Sequence, residues 1–312
     1  MAPWIPRLHL FEIADQPWFP AFLRAYVQTG LTHIWTTCLP LLQACTPATL
    51  VANILQRELK TSVSSYTYID FCAGAGGPTP YIEQALNKHL NSQRPPNDQD
   101  QPPATTSQKN GHVAGGVKFI LTDLHPHVES WEKAARKSAH LTFVPTPVDA
   151  AAAPPDLIMQ NKAGGKRVFR LFNLAFHHFD DGLARAILKN TVQTSDGFGI
   201  FELQSRTISS FVSCTLFGFF IFLIAPLLYW WSPQILFFVY AVPIVPFVLV
   251  VDGFVSSLRT RTADEVEVLL RTCGERNTAD WVVRSGSETF LWPCGHLSWI
   301  ICVKETGDRD KA

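Results

Sequence analysis

The run Tyr68-Ile69-Asp70-Phe71-Cys72-Ala73-Gly74-Ala75-Gly76-Gly77-Pro78 ends a β-rich stretch in an acidic residue and follows it with a glycine turn that opens a helix. Glycines at such a turn let a nucleotide cofactor approach the backbone, and the helix N-terminus offers unpaired amides. The third site of a G-x-G-x-x-G fingerprint is not glycine here, because Thr79 stands there, so the dinucleotide pattern is imperfect. A second β-rich run ends in Thr122-Asp123. A carboxylate at that point can accept both hydroxyls of an adenosine ribose; the alternative is a loop-capping carboxylate. Gly74 and Asp123 stand further apart than the usual spacing of about 20 residues, and the excess lies in one segment of unusual composition.

That segment, Asn91 to Gly116, is rich in Pro, Gln, Asn and Gly and nearly free of large apolar residues. It cannot bury enough apolar surface to offset its ordering entropy, which predicts a disordered surface insertion over 91–116. Around it, the patterns alternate. Strands are expected at Tyr66–Phe71, Val117–Thr122, Leu141–Val144, Val168–Asn173 and Gly199–Leu203. Helices are expected at about Thr79–His89, Val128–Ala139 and Ala184–Thr194, with two or three more between Phe11 and Glu58, broken near Pro40 and Pro47. The stretch holding Pro154, Pro155, Gly164 and Gly165 reads as a loop. Alternating strands and helices imply a parallel sheet and an α/β fold. Near the C-terminus, Thr262 to Cys273 reads as a helix with a Thr262/Glu265 capping box. Strands at Trp281–Arg284 and His296–Val303, joined by a loop with Gly286 and Pro293, should pair antiparallel.

Phe211–Trp231 and Ile235–Val251 break the alternation, since neither carries a charge. The first is long enough to span a bilayer, which takes about 17–25 residues, and the second is at the lower limit. Arg206 precedes the pair and Arg259 and Arg261 follow it, which places both ends in the cytosol and the turn Tyr229–Pro233 away from it. The alternatives are two buried helices of a soluble domain, or a hairpin bent by Pro226, Pro243 and Pro246 that enters one leaflet only. Membrane lipid is therefore an expected partner.

The chain has 312 residues and formal net charge zero; 47% are hydrophobic and 17% charged, against about 25% charged in an average soluble protein. With no basic run, nucleic acid is excluded as the main partner, because phosphate neutralisation needs clustered Lys and Arg. Cys38, Cys45, Cys72, Cys214, Cys273, Cys294 and Cys302 form no C-x-x-C pair. No zinc or redox motif is supported and no metal is expected; their odd number suits reduced thiols.

A glycine turn and a ribose-accepting acid leave two broad classes, nicotinamide or flavin oxidoreductases and methyltransferases. The antiparallel strand pair after the fifth strand favours the second. The chain resembles class I S-adenosylmethionine-dependent methyltransferases, in particular a microbial membrane-associated subgroup. The resemblance lies in the R-L-H-x-F-E-x-x-D-Q-P-W-x-P segment at Arg7–Pro20, the Asp70–Gly77 turn, F-H-H-F-D-D at Phe176–Asp181, I-F-E at Ile200–Glu202, and Val251-Asp252-Gly253 running on to Thr262. It implies a Rossmann-like seven-stranded α/β sheet, its last strand antiparallel, carrying an inserted hydrophobic helical hairpin. It divides the chain into an N-terminal helical cap or lid (1–65), a cofactor-binding core (66–207), a membrane hairpin (208–252), and a C-terminal helix with two strands completing the core (253–312).

The resemblance also implies S-adenosylmethionine as cofactor. Asp70 and the backbone at Gly74 and Gly76 would hold the methionine part, Asp123 the ribose, Leu124 the adenine face and Asp149 the adenine amino group. His177 and His178 follow the fourth strand at the carboxyl edge, where ligands bind in open α/β sheets. One of them could serve as general base, imidazole titrating near neutrality; the alternative is that they fix Asp180 and Asp181. The Arg7–Pro20 segment would be a lid with Trp18 and Phe19 as an apolar floor, or simply packing against the sheet. The implied activity is methyl transfer to a hydrophobic, lipid-like or secondary-metabolite acceptor at a membrane, with the catalytic domain facing the cytosol. A cyclase or isomerase using the cofactor without methyl transfer, and a non-catalytic membrane scaffold, are the alternatives.

Overall fold

The computed structural model describes residues 5–93 and 116–305. Seven strands form one sheet in the order β3-β2-β1-β4-β5-β7-β6. They are β1 (Tyr66–Phe71), β2 (Phe119–Thr122), β3 (Leu141–Phe143), β4 (Arg167–Asn173), β5 (Gly197–Glu202), β6 (Trp281–Leu291) and β7 (Gly295–Lys304). The first five run parallel, and β7 lies antiparallel between β5 and β6. This is the sheet of the class I methyltransferase fold, as the sequence patterns led us to expect.

The two-residue period of the strands sorts the core. Tyr66 and Tyr68 of β1 pack on one face with helices α2 (Pro47–Leu59) and α3 (Thr79–Ser92), while Ile69 and Phe71 pack on the other with α6 (Asp181–Thr194) and α10 (Ala263–Arg271). Arg170 of β4 is buried on the second face without a carboxylate. It donates to Ser195 Oγ, the Ala150 carbonyl, Asn190 and Thr194, lies 4.1 Å from the centre of the Phe71 ring, and burial lowers its pKa to about 9.

Several elements differ from expectation. Helix α4 (Val128–Ala135) stops four residues early, and α5 (Pro155–Lys162) occupies the stretch read as a loop, with Pro155 at its first turn. Gly286 lies inside β6, leaving only 292–294 as the connection to β7. Asn91 and Ser92 close α3, so the expected insertion begins after them, and residues 94–115 lie outside the described residues. The root of that segment is fixed: Asn87 accepts from the Val117 amide at 2.7 Å and donates to its carbonyl at 3.1 Å.

The hydrophobic stretch forms α7 (Ile208–Tyr229), a short α8 (Pro233–Leu236) running into a π-turn, and α9 (Ile244–Arg259), with a 65° bend before α9. Helix α9 runs unbroken across residue 252, so the hairpin does not end there as the domain division assumed. Helix α7 is long and apolar enough to cross a membrane, and only 17% of its most apolar window is buried. Ile208, Val212, Leu216, Phe219, Leu223 and Leu227 form one stripe along it, every member at least 40% exposed. That pattern is not that of a buried core helix for α7, whereas α9 is largely buried, with Val245, Val248, Leu249 and Val255 inside. The inner side packs with α9, the π-turn and α1 (Ala21–Thr36) in a separate apolar cluster of Phe19, Leu23, Val27, Ala225, Val239 and Val248.

The capping box on α10 is present: Thr262 accepts from the Glu265 amide, and Glu265 accepts from the Thr262 amide at 2.9 Å and pairs with Arg206 at 2.6 Å. Thr262→Ala should cost about 1 kcal/mol and lower the melting temperature by roughly 2–3 °C in differential scanning fluorimetry.

Candidate functional site

Two groups of polar residues meet the carboxyl edge of the sheet. The first surrounds the glycine turn. Gly74, Gly76 and Gly77 all have positive φ, and the +113° of Gly76 is open only to glycine. The Ala73 amide bonds the Thr122 carbonyl at 3.0 Å, and Trp131 Nε1 donates to the Gly74 carbonyl at 2.9 Å, so the turn is held from two sides. A side chain added at Gly74 would meet nothing within 4 Å, which leaves its backbone open to a ligand.

Asp123 joins this turn to β2. Its Oδ2 accepts from the Gly74 amide and its Oδ1 from the His125 amide, both at 2.8 Å. Leu124 beside it is exposed. Asp149 is exposed too and accepts from the Ala151 amide at 2.8 Å, while the neighbouring Val148 amide bonds the Asp123 carbonyl at 2.9 Å. The Cys72 thiol is pushed well up by burial and then by the charges of Asp123, Asp70 and Asp149. Asp123 thus ties the Gly74 turn to the loop that carries Asp149.

Asp70 is fully buried. Thr79, which departed from the glycine fingerprint, donates its hydroxyl to Asp70 Oδ2, and Asn173 Nδ2 reaches the same oxygen at 3.3 Å. Burial raises the Asp70 pKa to about 7, opposed by these two hydrogen bonds and aided by Asp123. Asp70 Oδ1 and Asn173 Oδ1 are both buried without a donor. Two orphaned acceptors beside an open glycine backbone suit a cationic, hydrogen-bond-donating group.

The second group lies after β4. The His177 ring is fully buried; its Nδ1 meets Glu202 Oε2 at 2.8 Å, and its Nε2 stands 3.5 Å from Glu12 Oε1. His178 Nδ1 meets Asp15 Oδ2 at 2.9 Å, and its Nε2 stands 3.9 Å from Glu12 Oε2. Glu12 Oε1 also accepts from Ser256 at 2.9 Å and Arg259 at 3.2 Å. Burial alone would lower His177 and raise Glu12, but their mutual attraction, with Glu202 and the neighbouring charges, raises His177 to about 10 and lowers Glu12 to about 2. With no other cation between the carboxylates, this pairing favours the protonated imidazole of His177, while His178 is the more exposed of the two rings. Neither histidine fixes Asp180 or Asp181. Asp180 caps α6 through the Leu183 amide, and Asp181 pairs with Arg7 and Arg261.

The N-terminal segment is a strap along α9. The Leu8 amide bonds the Leu258 carbonyl, and the Ile13 and Ala14 amides donate to Asp252 at 2.6 and 2.9 Å. Phe19 is buried but Trp18 is 66% exposed, so Trp18 forms no floor. Glu12, Glu202 and Thr79 were not singled out as site residues. Glu12 lay inside a recognised motif, but nothing local in the chain ties it to His177. The arginines that flank the hairpin are engaged in pairs, Arg206 with Glu265, Arg259 with Glu12 and Arg261 with Asp181.

No family model matches the chain, and no curated protein matches it by sequence. Solved structures do. A candidate O-methyltransferase from Nostoc punctiforme matches at 12% identity and TM-score 0.47, over 96% of this chain and 64% of that one. The plantazolicin methyltransferase BpumL in complex with SAH matches at 12% identity and TM-score 0.48, over 94% of each chain. A SAM-dependent methyltransferase from Anabaena variabilis matches at 15% identity and TM-score 0.44, over 96% of this chain and 98% of that one. The chain thus spans 64% of the length of the first of these. Likenesses at this level assign neither activity nor substrate.

Proposed function

We propose that this chain binds S-adenosylmethionine at the carboxyl edge of β1, β2 and β3 and transfers its methyl group to a hydrophobic small molecule at a membrane. The observation that carries the reading is the hydrogen bond of Asp123 to the open Gly74 turn at the end of β1, with Asp70 Oδ1 and Asn173 Oδ1 beside it left buried without donors. The two orphaned oxygens would accept from the α-ammonium group, Asp123 from the ribose hydroxyls and Asp149 from the adenine amino group, with Leu124 against the adenine ring. When bound, the cofactor supplies an activated methyl group. What this chain contributes is alignment and exclusion of water.

The exposed apolar stripe of α7 supports membrane attachment. The polar base of the hairpin, where Ser210 bonds Ser257 at 3.0 Å and Asp252 holds the strap, and the Phe217–Phe290 stacking at 6.1 Å keep its lower half on the sheet. The apolar outer half then enters one leaflet from the cytosolic side. An apolar cavity between α1 and the hairpin, lined by Tyr26, His33, Phe217, Ile221, Ile224 and Val245, supports a hydrophobic acceptor.

Isothermal titration of detergent-solubilised protein, followed by detection of S-adenosylhomocysteine after incubation with membrane lipid extracts, tests the proposal. Absence of S-adenosylmethionine binding by folded protein overturns it; binding with acceptor conversion but no S-adenosylhomocysteine would favour the cyclase or isomerase alternative. The affinity should also depend on pH. The ammonium group needs Asp70 ionised, and Asp70 titrates at about 7 before the cofactor binds. Affinity should rise about fivefold between pH 6 and pH 7, as the ionised share goes from about a tenth to about a half, and at most about twofold more above. It should fall again only as the cofactor's own amine loses its proton, near pH 8. Titrations at pH 6, 7 and 8 in buffers of matched ionisation enthalpy check the sign.

A further inference from the structure

We propose that Glu12, His177 and His178 bind a divalent first-row transition-metal ion between the N-terminal strap and the loop after β4. One ligand atom from each of the three lies within 4.8 Å of the others. A carboxylate can only accept, so the 2.8 Å contact of His177 Nδ1 with Glu202 and the 2.9 Å contact of His178 Nδ1 with Asp15 require both Nδ1 atoms to carry hydrogen when the rings are neutral. Both Nε2 lone pairs then turn toward one carboxylate. A carboxylate on the far nitrogen of each imidazole is the arrangement that orients metal-bound histidines. Ser256 and Arg259 engage Glu12 Oε1, while Oε2 has its nearest charged neighbour in His178 Nε2 at 3.9 Å.

The separations and charges agree. Nε2-to-carboxylate distances of 3.5 and 3.9 Å are too long for good hydrogen bonds. Metal bonds of about 2.0–2.1 Å place tetrahedral ligands roughly 3.3 Å apart, so a small inward shift closes the site. Glu12, Glu202 and Asp15 bring three negative charges, and Arg259 alone among the guanidiniums touching Glu12 answers them. Protonating both imidazoles would balance the site, but their centroids are 4.2 Å apart, so two cations would face each other. A divalent ion balances it with both rings neutral. Two histidines and one carboxylate suit Zn²⁺ or Fe²⁺ and leave a position open. His178 is 33% exposed, against 1% for His177 and 8% for Glu12, so the open position lies on the His178 side. There it would take water or an acceptor oxygen.

The test uses full-length chain in detergent, stripped with a chelator and kept free of S-adenosylmethionine, so that its outcome is independent of the cofactor reading. Zn²⁺ is titrated by calorimetry, and Co²⁺ is added while the visible absorption is followed. One ion per chain is expected, with a Co²⁺ band of a four- or five-coordinate site. His178→Ala and Glu12→Gln should each weaken binding at least about 100-fold, and Asp15→Asn about 10- to 100-fold. His125→Ala/His127→Ala, which removes two histidines near in sequence but outside the cluster, should not change it. Circular dichroism establishes that each variant is folded, and His178, being partly exposed, is the substitution least disruptive to the core. Folded protein that binds neither ion overturns the proposal. So does binding that survives both His178→Ala and Glu12→Gln, or that is lost with the His125/His127 pair.

Discussion

Asp123→Ala should lower the affinity for S-adenosylmethionine by roughly 100- to 10,000-fold. The carboxylate now holds the Gly74 and His125 amides, one on each oxygen at 2.8 Å, and each oxygen keeps a further lone pair for a ribose hydroxyl. A hydrogen bond to a charged group contributes about 1.5–3 kcal/mol, so two lost ribose contacts amount to about 3–6 kcal/mol. The Gly74 amide also loses its anchor, which loosens the turn at the point where the backbone must lie close to the ligand. Asp123→Asn, which keeps one acceptor oxygen, should fall between wild type and alanine. Calorimetry on the three proteins, with NADH as a control ligand, measures the series; an alanine variant within about threefold of wild type would remove Asp123 from the site.

Placing lysines on the outer stripe of α7 should release the protein from membranes. Phe219 and Leu223 are 63% and 71% exposed and lie mid-helix. A lysine costs about 2.5–3.5 kcal/mol at the centre of a spanning helix and about 1 kcal/mol nearer the membrane surface, and each replaced apolar side chain forfeits a further few tenths. In a hairpin that enters one leaflet the double variant Phe219→Lys/Leu223→Lys therefore gives up roughly 3 kcal/mol, about a 100-fold change in partition. Vesicle co-sedimentation reads this directly. Val268→Lys, on the exposed side of α10, should leave binding unchanged. Co-sedimentation equal to wild type in the double variant would show that the stripe does not contact lipid.

The sheet was legible because its signals are local. The alternation in Tyr66–Phe71, the acid at the end of β1 and the glycine turn lie within a dozen residues, and the last two strands followed from their position after β5. Three failures have physical causes. The prolines before α5 read as a break, although proline in the first turn starts a helix at no cost in hydrogen bonds. Gly286 read as a turn, but it sits in β6 because the Trp299 ring lies over it, where a Cβ would come within 2.5 Å of Cζ2. Thr79 read as a defect of the fingerprint, whereas its hydroxyl is the donor that Asp70 requires when buried. The polar cluster was illegible for another reason: Glu12, His177, Glu202 and Arg259 come from four distant parts of the chain, and only the packed sheet and α9 bring them together. A tandem histidine was visible, but the carboxylates on its far nitrogens were not.

The strap couples parts of the chain that are made far apart in time. Glu12 meets Arg259 and Ser256, 247 and 244 residues later in the chain, and the Ile13 amide meets Asp252, 239 residues later. At about 5–20 residues per second, Glu12 waits roughly 12–50 s for partners that are still being made. Throughout that interval the mouth above β4 lacks its strap, and the apolar faces of α1 and then α7 emerge before α9 exists to cover them. Insertion into lipid during translation would shelter those faces. Closure of the strap would then wait for α9, so that a nascent chain truncated before α9 carries both histidines without the strap held over them.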